Sequence, residues 1–277
     1  MPGTRHRAYG IFSSILAVLI AAAALFPLAW MAMAGFKPER EVLSVPFRFL
    51  PTRWGLDSFH RLFADTTFPF LVSMRSTFFV SAIACLMALA MNSMAAYAFA
   101  RLEFRLKRLL WAVTVVSMYI PGITILLTSF ILVSKLGILD TKAVLILPGV
   151  ASAYSIFFFR QFFLNLPMSL EEAALIDGAS RFRIFTGIYL PNALSPLVII
   201  GVGTFLGYWN SFLWPTMTIT RVTNLQVMQV MRSYSSMYST RWGTVMAGST
   251  LAALPPVILF LIFQRHIVKG IILSGIK

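Results

Sequence analysis

Three of the chain's nine acidic residues, Glu171, Glu172 and Asp177, fall together in the stretch EEAALIDGASRFRIFTGIYLP, residues 171–191. Carboxylates on a short helix can accept charge-assisted hydrogen bonds from Arg or Lys on another chain. Ser169 and Glu172 have the spacing of a capping box, and acids in the first turn complement the helix dipole. Leu170, Ala173, Ala174 and Asp177 then share one face. Gly178 is placed to end this helix in the left-handed conformation, and Ser180 to cap a second helix running through Arg181 and Phe185 towards Pro191. The small side chains of Ala173 and Ala174 would let a partner's backbone approach closely. The stretch therefore has the form of a plug for a socket, although an ordinary capped surface helix pair would use the same residues. Chemistry of other kinds is missing. There is no phosphate-binding G-x-x-x-x-G-K-[ST], no H-E-x-x-H and no G-x-S-x-G, so no catalytic residue is assigned. His6, His60 and His266 are too scattered for a metal cluster, and Cys85, the single cysteine, has no partner for an internal disulfide.

The segments that must position this stretch are apolar. The 277 residues are 58% hydrophobic and 12% charged, against about 25% charged in soluble domains. Charge-free runs predict six membrane spans near 10–34, 76–100, 109–134, 143–163, 194–214 and 243–264, each close to the roughly 17–25 residues that cross a bilayer. Pro121-Gly122 should bend the third. Pro191 and Pro196 divide the run before the fifth and leave Ile184–Leu190 at the membrane surface. The first run, Ala8–Phe36, exceeds the roughly 7–15 apolar residues of a signal peptide and reads as an uncleaved helix. An even number of spans puts both termini on one side, with the acidic segment 167–191 on that side and loops 35–75 and 215–242 opposite. Lys and Arg divide almost evenly between the two sides. Their density around Arg101, Arg105, Lys107 and Arg108 favours a cytoplasmic location for the termini. The net charge of +14 is spread through every loop, which suits anionic lipid headgroups and offers no basic domain to nucleic acid.

All nine acids lie in loops. A proton- or cation-coupled carrier usually keeps carboxylates at membrane depth, so energy for uphill transport would have to arrive from outside the membrane. Polar and aromatic residues within spans are the candidates to line a path: Asn92, Tyr119, Thr124, Tyr208, Trp209 and Asn210. Aromatic rings stack on sugars and Asn binds hydroxyls, while interhelical packing or an aromatic belt would use the same residues. In the loop 215–242, Met228, Met231, Tyr234 and Tyr238 suit an adaptable protein-binding surface, or a partly buried re-entrant loop.

The pattern E-A-A-x-x-D-G-A, eight residues, then I-x-L-P resembles the signature of permease subunits of bacterial ABC importers. It reads here as Glu172-Ala173-Ala174, Asp177-Gly178-Ala179, then Ile188, Leu190 and Pro191. RQFFLNLP before it, AYAFARLEF closing the second span, GYWNSFLWP in the fifth and LPPVILFLIFQRHIVKG near the end extend the likeness over most of residues 76–270. They are similar to the six-span subunit of maltose-type carbohydrate importers, with a mild departure in IILSGIK. The resemblance implies an all-α integral membrane protein of the type I importer permease fold, a single transmembrane domain over 1–277, in the bacterial inner membrane. It implies that residues 167–191 form a cytoplasmic coupling helix docked on an ATPase subunit. Glu171, Glu172, Ala173, Ala174, Asp177, Gly178 and Ala179 would be its coupling residues, with Glu172 pairing a basic residue of the ATPase. The implied partners are a second permease, two ATPase subunits that hold ATP and Mg, and an extracytoplasmic solute-binding protein facing the loop 215–242. No cofactor would be bound by this chain, and the solute would be a sugar or sugar-like molecule. A self-sufficient secondary carrier or channel is the competing reading, and it leaves the acidic helix unexplained.

Overall fold

The computed structural model describes the backbone of residues 3–235 and 241–275, and side chains over 12–235 and 241–267. Among the described residues every regular element is helical. Helix α1, Gly3–Gly35, runs unbroken through Pro27, and α2 is Phe70–Arg101. Helix α3, Lys107–Ser117, is followed by a 3-10 turn at Gly122–Ile125 and by α4, Leu126–Lys135. Helices α5, Lys142–Val150, and α6, Ala153–Leu164, precede the acidic helix α7, Met168–Ile176. Next come α8, Arg181–Asn192, and α9, Leu194–Trp209. Then follow α10, Leu213–Thr218, α11, Val227–Tyr234, and α12, Trp242–Gly275.

By length and composition, α1 from Phe12, α2 and α12 can each cross a membrane. Three bent pairs supply up to three more spans: α3 with the Gly122–Lys135 segment at 100°, α5 with α6 at 46°, and α8 with α9 at 81°. The first bend falls at Pro121-Gly122, as the sequence predicts. The second corrects an expectation of one continuous span over 143–163. Pro148 lies inside α5 and has no N–H to give the Val144 carbonyl, and Ala151 turns extended with ψ 117°. At the third, α8 turns sharply into α9, and within Ile184–Leu190 the side chains of Ile184, Phe185 and Tyr189 are buried in the chain's own core while Thr186 and Gly187 are exposed. Helix α9 ends at Trp209, with Asn210 as its C-cap, so the expected span 194–214 is helical only in part before α10 begins.

The chain forms two compact units. One contains the chain up to Leu71 together with Val230–Leu254. Within it Arg61 pairs with Glu39 at 3.4 Å, and the Gly243 amide donates to the same carboxylate at 3.1 Å. A Cβ on Gly35 would sit 3.1 Å from the Ala247 Cα, a tight contact that would push the two backbones apart by a few tenths of an ångström.

The other unit contains Val72–Gln229 and the chain from Pro255. Its core joins Ala96 and Tyr97 of α2, Phe159 and Phe163 of α6, and Ile184, Phe185 and Tyr189 of α8. Residues Phe185–Tyr189 make a π-helical turn, a widened turn often found at functional positions. Between α4 and α5, Asp140 takes a left-handed φ of 59°. Its carboxylate accepts from the Thr220 hydroxyl at 2.8 Å and the Arg221 amide at 2.8 Å. The Thr220 and Arg221 amides and the Thr220 hydroxyl together hold the Asp140 carboxyl below the usual aspartate range.

Candidate functional site

The acidic helix is anchored through Glu171. Its side chain is fully buried, and a carboxylate removed from water needs full pairing. The Arg181 guanidinium donates to Oε1, and the Tyr189 hydroxyl donates to Oε2 at 2.6 Å. The Arg101 Nε, at the end of α2, lies 3.9 Å from Oε2 as an ion pair. Arg101 also donates to the carbonyls of Phe163 at 2.7 Å and Leu166 at 2.5 Å. These oxygens belong to the end of α6 and the turn after it, where a helix leaves carbonyls unpaired. The guanidinium lies 5.4 Å from the Tyr189 ring centroid. One carboxylate thus joins α7 to α8 directly and, through Arg101, to α2 and α6.

This geometry corrects two expectations. Glu171, expected to face a partner, is turned into its own chain. The helix begins at Met168 with Pro167 as N-cap and no side-chain cap, so Ser169 and Glu172 do not form the capping box. Proline at the boundary already fixes the entry of the chain and carries no amide that needs an acceptor. The remaining acidic-segment residues divide by face. Glu172, Ala173 and Asp177 are exposed, while Ala174 and Ala179 pack against the core cluster. Ala174 is therefore also turned away from the open face.

Gly178 has φ 77°. The Ala179 amide donates to the Ala174 carbonyl at 2.9 Å and the Gly178 amide to Leu175 at 3.0 Å, the paired bonds of a Schellman ending. Ser180 then caps α8, accepting from the Arg183 amide at 3.3 Å. These two residues set the reversal between α7 and α8, as the sequence indicates. The outer face of α7 carries Ile176 at 86% exposure beside Leu170 at 45%, apolar surface among carboxylates.

A second constellation surrounds the helix breaks. Asn92, buried in α2, donates from Nδ2 to the Val150 carbonyl at 2.9 Å and accepts from the Ser152 amide at 2.9 Å. It thereby closes both backbone groups opened between α5 and α6. The Trp214 indole donates to the Val144 carbonyl at 2.9 Å, the oxygen that Pro148 leaves without its helical donor. Tyr208 donates to the Ile146 carbonyl at 3.0 Å. Irregular backbone at membrane depth persists where protein groups satisfy it. A cavity of about 410 Å³ opens beside these breaks, with Tyr208, Trp214, Gly122, Ser152 and Gln226 in its wall.

The path candidates therefore separate. Tyr208 lines the cavity. Asn92 is committed at both ends of its amide to a helix break, and Trp209 is buried and stacked on Phe205 at 5.7 Å. Asn92 therefore offers no free face to a solute in this conformation, whereas Trp209 reaches the wall of a different cavity of about 600 Å³, with Arg75, Lys142 and Thr223. Tyr119 is 82% exposed, Thr124 bonds back to the Pro121 carbonyl at 2.6 Å, and Asn210 is exposed at the end of α9. Of the loop residues expected to meet a binding protein, Met228 is half-buried. Met231 is buried, and its Sδ would lie 2.7 Å from a Cβ on Gly248. Tyr234 donates to the Phe68 carbonyl at 2.9 Å, and burial with the nearby Asp65 carboxylate raises its phenol above the usual range. Tyr238 lies outside the described residues. Met231 and Tyr234 thus face inward within their unit. In the sequence Arg101 counts only as loop charge and Arg181 only as a helix residue, and neither they nor Tyr189 and Trp214 are expected as site residues. Pro148 inside a predicted span was the available signal for Trp214, because it calls for a donor to the carbonyl four residues earlier.

Up to six spans, three of them bent pairs, and a latched helix pair between two of them define an all-helical membrane transport subunit. The chain belongs to the family of inner membrane components of binding-protein-dependent transport systems, whose profile matches residues 88–273. It is a multi-pass inner-membrane permease of the ABC importer type. It is 30% identical over 261 residues to the arabinooligosaccharides transport system permease protein AraQ of Halalkalibacterium halodurans, covering 93% of each chain. It is 32% identical over 269 residues to the sn-glycerol-3-phosphate transport system permease protein UgpE of Escherichia coli, covering 95% of each. The fold matches a chain of a bacterial ABC transporter that imports the acidic polysaccharide alginate. That match has a TM-score of 0.83 at 21% identity and covers 96% of this chain and 99% of that one.

Proposed function

We propose that this chain is one of two permease subunits of an ATP-driven importer for a sugar-like solute, and that α7 is the element through which the ATPases move it. The observation that carries this reading is the division of α7 into two faces. Glu171 fixes the inner face to three other helices, while Glu172, Ala173, Ile176 and Asp177 stand free on the outer face. A short helix tied in this way passes a push on its outer face to α2, α6 and α8 together. Two ATPase subunits would hold ATP and Mg and carry out hydrolysis, with no cofactor on this chain, and both termini would be cytoplasmic. The solute-binding partner follows from the family's dependence on a binding protein, and the sugar-like solute from the names of the relatives.

The deciding experiment is purification of the chain from its native membrane in mild detergent, with mass spectrometry of the co-purifying proteins. An ATPase and a second permease should accompany the wild-type chain. Glu172→Ala and Gly178→Asp should lose the ATPase and at least 90% of solute uptake. Aspartate is among the residues that enter the left-handed region, and a Cβ at position 178 meets no atom within 4 Å. At φ 77° the Gly178→Asp substitution strains the turn even where there is space, so Glu172→Ala, on the exposed face and outside the turn, is the variant that tests docking alone. A chain that purifies alone yet transports in liposomes would refute the coupling role.

A further inference from the structure

A cavity of about 470 Å³ lies where α2 ends and α3 begins, with Lys107, Arg108 and Arg160 in its wall beside Glu103, Phe99 and Trp111. Arg160 reaches it from α6. Its guanidinium lies 4.1 Å from the Trp111 ring centroid, and its Nε donates to the Phe99 carbonyl at 3.2 Å. These contacts fix the plane of the group and leave both Nη nitrogens without an acceptor among the described residues. Arg108 is exposed and has no acidic partner among the described residues. Lys107 pairs with Glu103 at 2.8 Å, but the Glu103 side chain is 89% exposed, and a solvated i,i+4 pair of this kind contributes little. Three cations from α3 and α6 thus face a single, well-hydrated acid.

We propose that this cavity holds the phosphate of an anionic phospholipid headgroup, with Arg108 and Arg160 as its donors and Lys107 beside them. The inference goes beyond the transport reading and does not depend on the ATPase. A guanidinium presents parallel N–H groups that match phosphate oxygens. The place in the fold selects a lipid over a soluble anion. The cavity sits at the turn between two membrane helices, the level at which headgroups lie, and Trp111 is the residue type that favours that level. Basic pockets between membrane helices suit anionic headgroups. Further along α3, Leu109, Leu110, Val113 and Val116 stand exposed, an apolar surface on which the acyl chains of the same lipid can lie. The bound phosphate would tie α3 to α6, two helices that the chain itself joins by stacking Trp111 on Phe157, with ring centroids 6.0 Å apart.

For the test, the full chain is purified in mild detergent with the subunits that accompany it and is then stripped of lipid. It is offered phosphatidylglycerol and phosphatidylcholine of the same acyl chains in equal amounts, and native mass spectrometry reads what is retained. Phosphatidylglycerol should be held in preference, and its retention should fall about fivefold for each cation removed, in Arg108→Gln and then in Arg108→Gln/Arg160→Gln. Arg105→Gln removes an exposed cation of the same loop that is not part of the cavity wall, and it should retain the lipid as the wild type does. Arg160→Gln also gives up the bond to Phe99 and the face of Trp111, so Arg108→Gln alone decides if the double variant does not assemble. A second arm adds inorganic phosphate in large excess, which should leave the lipid bound. Displacement by inorganic phosphate would make the cavity a free-anion site and overturn the lipid assignment. Equal retention of the two lipids, an equal loss in Arg105→Gln, or no loss in Arg108→Gln would overturn it too. Retention of neither lipid would do the same and leave the cations to an acidic segment of a partner subunit.

Discussion

Glu171 and Glu172 are adjacent acids with opposite fates. One is fully buried among Arg101, Arg181 and Tyr189, and the other is exposed on the outer face of α7. Removing one partner of a buried ion pair strands the others, at about 3–5 kcal/mol. The Arg181 side chain is half exposed, so Glu171→Ala should cost about 3 kcal/mol, the low end of that range. Thermal unfolding in detergent should show the loss for Glu171→Ala and none for Glu172→Ala. Equal melting of the two variants would remove the anchoring role. Asp140 gives a pH-dependent case. Its folded carboxyl titrates below its unfolded value, so its tie to Thr220 and Arg221 contributes in full above the unfolded value of about 3.9. That contribution is lost as pH falls through the lower, folded value. Amide exchange at Thr220 and Arg221 should stay protected at pH 5 and open in Asp140→Ala at the same pH.

At the scale of elements, the break between α5 and α6 is a hydrogen-bond exchange. Pro148 withdraws the donor to the Val144 carbonyl, and the Trp214 indole replaces it from α10. Asn92 closes Val150 and Ser152 from α2. Trp214→Phe should strand the Val144 carbonyl and cost about 1–2 kcal/mol. Pro148→Ala restores an N–H within reach of the same oxygen. The penalty of Trp214→Phe should therefore shrink by about 1 kcal/mol in the Pro148→Ala background. Additive melting shifts across the four proteins would show that the indole serves only for packing.

For the whole molecule, the direction of α7 is the consequence with the widest reach. Ile176 is 86% exposed on it, and Cys85 is the only cysteine, so a Cys85→Ala background supports a single reporter at Ile176→Cys. With a cytoplasmic α7, a membrane-impermeant maleimide should label that reporter in inside-out vesicles and not in right-side-out ones. Co-expression of the ATPase should then protect it. Labelling from the outer side would reverse the orientation. The exposed apolar surface of α1, with Phe12 at 67% and Val18 at 66%, has its natural neighbours in lipid or in a partner subunit.

The sequence alone determined what depends on local pattern. Long apolar runs indicate multiple spans because a bilayer demands about 20 apolar residues in line. Pro121-Gly122 predicts a bend because proline cannot continue the hydrogen-bond ladder. Gly178 and Ser180 mark a turn because left-handed backbone and an N-cap have strong residue preferences. The family signature was legible for the same reason, as fixed residues at fixed spacing. Tertiary structure decided what depends on residues far apart in the chain. Whether Glu171 or Glu172 faces outward turns on Arg101, seventy residues earlier, and on Tyr189. Asn92 reads as a candidate for solute until Val150 and Ser152 are seen to occupy it. A polar side chain in an apolar chain must be satisfied somewhere, and only the fold determines whether its partner is the chain's own backbone, a neighbouring subunit or a solute.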